Sequence, residues 1–432
     1  MFCLLQSAFS YFSGADHGSC VAYTSESGSD HDHPISLALH NLISTGGDAW
    51  PPRATFEETW PPCLRPYHHV FQRVAPFIPV EEASLDDEHN RHVIETFRAR
   101  VRQELVDSVC LEDVKVALLE EEGTSERLST SAWLGFFACI SMLRHAYRWG
   151  VTPIVREAQN ETSLDFPPEL EWPSLALRQR YGHTSPGGCL TSNVLCNLDD
   201  EKEVVYSCTA GMSNIHRSAE KVNAWLFREM EDRALPLYRA MGDAARFLDS
   251  GDIDSTVEAL KIANQSLKTV FQYFYENLVD RKVSQQYWMA YVQGFHAWTL
   301  DGIDGAGGGQ ALVIKSLDAF LDIQPVPEPE VEALHFPSPQ RDWLNALRKY
   351  NIRQAASHDP EVTKGLEHLV RQLKTWRMGH LRRMRPYEGV ERPERKKMTA
   401  GKSVLERSRA LDSQEALQFL QDHLATRLAE TR

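Results

Sequence analysis

No two of the eight cysteines are spaced as CxxC, and none lies beyond Cys208. A zinc site or a disulfide framework is therefore not expected, and a reducing, cytoplasmic setting fits. No apolar run approaches the roughly 18 residues that a membrane-spanning helix needs, so no membrane partner is expected. Positive charge is in deficit: 46 Lys and Arg stand against 60 Asp and Glu, a formal net charge of −14. That balance argues against nucleic acid or an anionic lipid surface as partner. The opening MFCLLQSAFSYFSG has a short apolar run without a basic lead-in, a poor match to a secretion signal. There is no HExxH, and no serine sits in a nucleophile elbow. The glycine run from Gly305 to Gly309 lacks the Lys-Ser/Thr of a phosphate-binding loop and follows no strand pattern. A flexible turn is its plain reading, although such a run also lets backbone approach a ligand closely.

What remains is a chain of 432 residues, 42% hydrophobic and 25% charged, ordinary for a globular protein and long enough for two or three domains. Residues 1–60, rich in Ser, Gly, Asp, His and Pro, read as a mostly irregular arm. Within them His17, Asp30, His31, Asp32 and His33 are metal-ligand types, but a solvated loop is the plainer account. Residues 61–210 read as a smaller, mostly helical domain with connecting loops. Its helical pattern covers Leu85–Glu121, with Val93, Phe97, Val101, Leu105 and Val109 on one stripe. A strongly apolar helix follows over 131–149 and a short one over 173–181, and 203–208 (EVVYSC) is the best strand candidate. Residues 211–432 read as a large helical domain, with helices over 217–248, 253–281, 284–300, 311–323, 338–351, 359–386 and 413–428. The fold class expected is all-α. The basic residues between Arg382 and Lys397 read as a solvated linker in so acidic a chain.

The helix over 359–386 is the most informative stretch. Asp359 is a good N-cap, Pro360 suits the first helical position, and Pro386 ends the run. Leu366, Leu369, Val370, Leu373, Trp376 and Met384 recur at three- and four-residue steps. His380 falls within that apolar face, and Arg377, three residues earlier, is its neighbour on the helix surface. An imidazole and a guanidinium so placed suit a haem iron and a propionate. A packed core histidine is the commoner outcome of this pattern alone.

Several segments together resemble the indoleamine 2,3-dioxygenase family, over about residues 134–428. Arg377-Met378-Gly379-His380 matches the family's arginine and iron-ligating histidine. GAGGGQALVIKSLDAFLDI is similar to its Gly/Ser/Ala-rich loop and the apolar helix after it. SPGGCLTSNVLCNL, HAWTLDG and FPSPQRDWL resemble further family segments, in this order along the chain. The resemblance implies a b-type haem with His380 as the only protein ligand to iron, Arg377 on a propionate, and Asp318 paired with Arg377. It places Gly307, Gly308 and Gly309 over the haem. It implies a monomeric oxygenase that uses O2 on an indole or related aromatic substrate, with Tyr287, Trp288, Val292 and His296 as distal candidates. The chain departs from the family in three places. Val292, with Gln293 beside it, stands where the family's arginine grips the substrate carboxylate; Gly307 stands at its loop serine; and its Gly-Thr-Gly-Gly-Thr stretch is missing. The expected substrate is therefore tryptophan-derived without necessarily being free tryptophan. Alternatives are a haem-dependent monooxygenase or peroxide-using hydroxylase, with His296 as distal base, and a non-catalytic haem-binding helical protein.

Overall fold

The computed structural model describes residues 33–78, 87–119, 128–149, 163–279, 281–283, 300–301, 303, 305–325, 329–384, 398–399, 402–403, 422 and 425–431. Its principal helices, in chain order, are α1 (Pro34–Thr45), α2 (Arg65–Val74), α3 (Asp87–Ser108), α4 (Leu111–Leu119), α5 (Thr130–Trp149) and α6 (Pro168–Tyr181). Then come α7 (Asn214–Asp249), α8 (Ile253–Asn277), α9 (Leu312–Phe320), α10 (Pro329–His335), α11 (Ser338–Tyr350), α12 (Ile352–Ala355) and α13 (Pro360–Met384). The chain is all-α. Residues 425–430 form a further helical stretch, the described end of the helix expected over 413–428. The helix expected over 284–300 falls almost wholly outside the described residues. No helix is long and apolar enough to cross a membrane, among the described residues.

Helix ends follow local chemistry. Asp359 Oδ1 accepts from the backbone N–H groups of Glu361 and Val362, both at 3.0 Å, which fixes the start of α13. The Asp249–Asp252 break separates α7 from α8, and the Asp252 carboxylate accepts from Ser255 N–H at 3.0 Å. Two expectations need correction. The arm over 1–60 is not irregular throughout, because α1 lies in it. His33 caps that helix, its Nδ1 3.3 Å from Ile35 N, and Pro34 takes the first turn. Ile35, Leu39 and Leu42, at helical spacing, are buried against α7 and α11. Nor is 203–208 a strand: only Val204 makes a bridge, to Leu198. The Asn197 side chain replaces a neighbouring strand there, its Oδ1 accepting from Tyr206 N at 2.8 Å and its Nδ2 donating to Tyr206 O at 3.1 Å. Among the described residues the named strands are Met398–Thr399 and Lys402–Ser403, paired antiparallel.

Two apolar clusters form. One joins α1, α7, α8, α9, α11 and α13; the other joins α2 to α6. The seam runs through residues 189–198, where Leu190, Val194, Leu195 and Leu198 face the first cluster while Cys189 and Cys196 face the second. Glu231, on α7, ties the first cluster together. Its carboxylate is fully buried and accepts from Trp50 Nε1 (3.0 Å), Tyr238 Oη (2.6 Å) and Val313 N (3.0 Å). The last contact sets a carboxylate at the N-terminus of α9, where the helix dipole favours it. Burial pushes its pKa up, and these hydrogen bonds oppose the shift.

Glu231→Ala leaves three buried donors without an acceptor and should cost about 3 kcal/mol or more. Glu231→Gln, which keeps an acceptor oxygen, should cost distinctly less. Urea unfolding midpoints measure both; a loss below about 1 kcal/mol for the alanine variant would contradict this role.

Candidate functional site

Helix α9 brings Asp318 under α13, and the pairing expected between Asp318 and Arg377 is present. Arg377 Nη2 donates to Asp318 Oδ1 at 2.6 Å. The other carboxylate oxygen, Oδ2, accepts from Arg427 Nη2 at 2.8 Å. All three side chains are at most 9% exposed. Arg377 Nη1 donates to Thr431 Oγ1 and to the carbonyl of Arg427. Arg427 also donates to the Gln324 carbonyl at 2.9 Å and pairs with Glu430. One buried carboxylate thus joins α9, α13 and the C-terminal helical stretch. Burial lowers the pKa of Arg377, and Asp318 works against that shift. Lys315, one turn before Asp318, is buried as well, and desolvation brings its pKa down to about 8 against the pull of Asp318 and Glu332.

His380 lies one turn beyond Arg377. Its ring packs at 5.1 Å from Trp376 and edge-on to Phe274 at 5.7 Å. Trp376 in turn stacks on Phe271, with centroids 5.3 Å apart and planes 10° from parallel. The His380 side chain is half-buried by surface, yet crowding by protein pushes its pKa down to about 4, with Arg383 adding to the shift. Neither ring nitrogen has a hydrogen-bond partner among the described residues. Its neighbour Trp376 is 7% exposed, and its Nε1–H is buried without an acceptor among the described residues. Gly379 is required for this packing, because a Cβ there would lie 2.1 Å from Tyr275 Oη. Tyr275 donates to the Trp376 carbonyl at 3.0 Å and carries Arg383 over its ring at 4.7 Å.

The glycine run sits before α9. Gly305, Ala306 and Gly307 are buried, while Gly308 and Gly309 are exposed. Gln310 closes the loop: Nε2 donates to the Gly305 carbonyl at 2.9 Å, and Oε1 accepts from Leu190 N at 2.8 Å. Gly307 has an ordinary extended backbone, so its conformation does not demand glycine. Tyr287, Trp288, Val292 and His296 lie outside the described residues, as do Tyr291, Gln293, His17, Asp30, His31 and Asp32. His33 is a helix cap with Nε2 3.3 Å from Asp249. Among the described residues no group of three or more His, Cys, Asp or Glu is placed to hold a metal ion. A haem iron needs only one such protein ligand. Arg427, Thr431 and Glu231 were not foreseen, since contacts across 50 residues or more leave no periodic trace in the sequence.

No family model matches the chain. No curated protein matches it either.

Removing Asp318 leaves two buried guanidinium groups without their shared counter-charge. Asp318→Ala should cost about 3–5 kcal/mol, and its combination with Arg377→Ala should be clearly less than additive. Additive losses in urea unfolding would contradict the pairing.

A second prediction concerns acid. His380 stays neutral to about pH 4 and buried His183 to about pH 3, both below the ordinary 6.5. Between those values and 6.5 these two groups bind more protons in the unfolded chain than in the folded one, so their contribution to stability rises with pH there. Their contribution is complete above the unfolded pKa and is lost as pH falls through the window. Urea midpoints measured from pH 7 down to 4.5 should fall, and less steeply in His183→Leu. A wild-type midpoint independent of pH would contradict the assignment.

Proposed function

We propose that this protein binds haem through His380 and acts as an oxygenase on an indole or related aromatic compound. The observation that carries the reading is the setting of His380, one turn beyond the buried Asp318–Arg377 pair and packed on Trp376 and Phe274. The side chain is a neutral imidazole at physiological pH, with no hydrogen-bond partner on either nitrogen among the described residues, on a helix fixed on two sides. A metal ligand must be unprotonated, and this ring needs no proton loss to become one. The buried Trp376 Nε1–H beside it suits a group that carries carboxylates, as haem does. When bound, haem supplies the redox centre at which O2 is activated for transfer to an aromatic ring.

The chain's own residues have narrower tasks. Trp376 and Phe274 pack against the His380 ring and set its plane, and Phe271 backs Trp376. Asp318 holds Arg377 and is itself held by Arg427, so it does not sit behind the imidazole as an acceptor. An acceptor carboxylate would raise the basicity of the imidazole. Without one, among the described residues, the ligand is a plain neutral imidazole, which favours the oxygenase reading over peroxide-driven hydroxylation. Arg377 has two acceptors on Nη1 and one on Nη2, so its first task is to fix α13. On the substrate side the reading rests on sequence. Val292 in place of a carboxylate-binding arginine favours indoles without a free carboxylate, such as an amine, an amide or a capped tryptophan.

His380→Ala should lose haem while keeping its helical content. Unchanged ferric and ferrous spectra would overturn the ligand assignment. With labelled O2, product masses should show two labelled atoms per indole; one atom would favour the monooxygenase. Free tryptophan should react more weakly than tryptamine-like or capped analogues by about 10- to 150-fold, the value of a lost charge-assisted contact. Efficient, saturable turnover of free tryptophan would show that another residue holds the carboxylate.

A further inference from the structure

Helix α13 is gripped near His380 from two directions. On one side α8 holds it through the Phe271–Trp376 stack, the Tyr275 hydroxyl on the Trp376 carbonyl, and Arg383, which donates to the Leu278 carbonyl. On the other side the grip is polar, and its outer half comes from the C-terminal helical stretch. Arg427 takes the second oxygen of Asp318, and Thr431 meets Arg377 Nη1. Thr431 is completely buried and Arg427 is 8% exposed. Arg427 reaches three places at once: Asp318, the Gln324 carbonyl and Glu430. Only a forked guanidinium with several donors can do that.

We propose that Arg427 and Thr431 are positioning residues for His380, and that docking of the C-terminal stretch sets how firmly the ligand at His380 is held. This rests on the haem reading above. Without Arg427, Asp318 retains only Arg377. Without Thr431, Arg377 loses its side-chain acceptor on Nη1. In either case α13 stays attached to α8 and keeps the Asp318–Arg377 pair, but loses part of the set of contacts that opposes its rotation. A side-chain tip lies roughly 6 Å from a helix axis, so a turn of about 10° moves it by about 1 Å. A displacement of that size is enough to spoil ligation or catalysis.

The test uses the full chain with Arg427→Gln, Arg427→Lys and Thr431→Val. Arg348→Gln is the control: it breaks the 2.7 Å pair with Glu332, and its hydrogen-bond partners, Asn345 and Glu332, lie off α13. Two readouts are taken. In the unloaded protein, amide hydrogen exchange over residues 376–384 should rise in Arg427→Gln and Thr431→Val and stay at wild-type level in Arg348→Gln. In protein loaded with hemin, haem transfer to an acceptor globin should speed up at least tenfold in Arg427→Gln and Thr431→Val. Arg427→Lys, which restores charge without the fork, should recover only part of the effect, and Arg348→Gln should stay near wild type. Exchange over 376–384 unchanged by Arg427→Gln would overturn the proposal, as would haem loss equally fast in Arg348→Gln. If wild-type protein takes up no hemin, the haem reading fails. The exchange measurement still decides whether Arg427 and Thr431 position His380.

Discussion

One carboxylate, Asp318, between two arginines is the contact on which the His380 helix depends. Its two oxygens serve Arg377 at 2.6 Å and Arg427 at 2.8 Å. Three elements that are far apart in sequence meet there with little access to water. A buried ion pair is weak evidence for stability in itself, since desolvation offsets much of its attraction. Its geometry is specific, however, because each guanidinium must face one oxygen. Apolar packing of α13 on α8 supplies much of the adhesion, and the Asp318 centre opposes rotation about the helix axis.

Glu231 extends the same logic. It anchors the start of α9, the helix that carries Asp318, by accepting from Val313 N–H, and it also holds Trp50 and Tyr238. A fixed α9 presents Asp318 at a fixed height, and Asp318 then fixes α13. The His380 ring inherits its orientation from these contacts and from Trp376, Phe274 and the close approach of Gly379 to Tyr275. The ring so held is a neutral imidazole with no hydrogen-bond partner on either nitrogen among the described residues.

Much of this was legible in the sequence. The start of α13 could be read from Asp359 and Pro360, and its buried face from Leu366, Leu369, Leu373 and Trp376. Such signals are local and periodic. The Asp318–Arg377 pair came instead from family resemblance, because a contact spanning 59 residues has no periodic signature. Arg427 and Thr431 had no signal at all. Helix α1 was hidden by its polar, glycine- and serine-rich surroundings, although PISLALHNLI carries helical spacing. The β-branched run at 204–205 was misread because the Asn197 amide, and not a strand, satisfies the Tyr206 backbone. Glu231 had no signal either, because Trp50 and Val313, which it joins, lie 181 and 82 residues away in sequence.

The central claim is that His380 is a neutral imidazole ready to take one iron. Its most direct test is hemin titration of the purified wild-type protein, followed by resonance Raman spectroscopy of the ferrous form. The account predicts uptake of one haem per chain and an iron–imidazole stretch at the frequency of a neutral histidine ligand. Absence of stoichiometric uptake, or a ferrous haem without an iron–imidazole stretch, would contradict it.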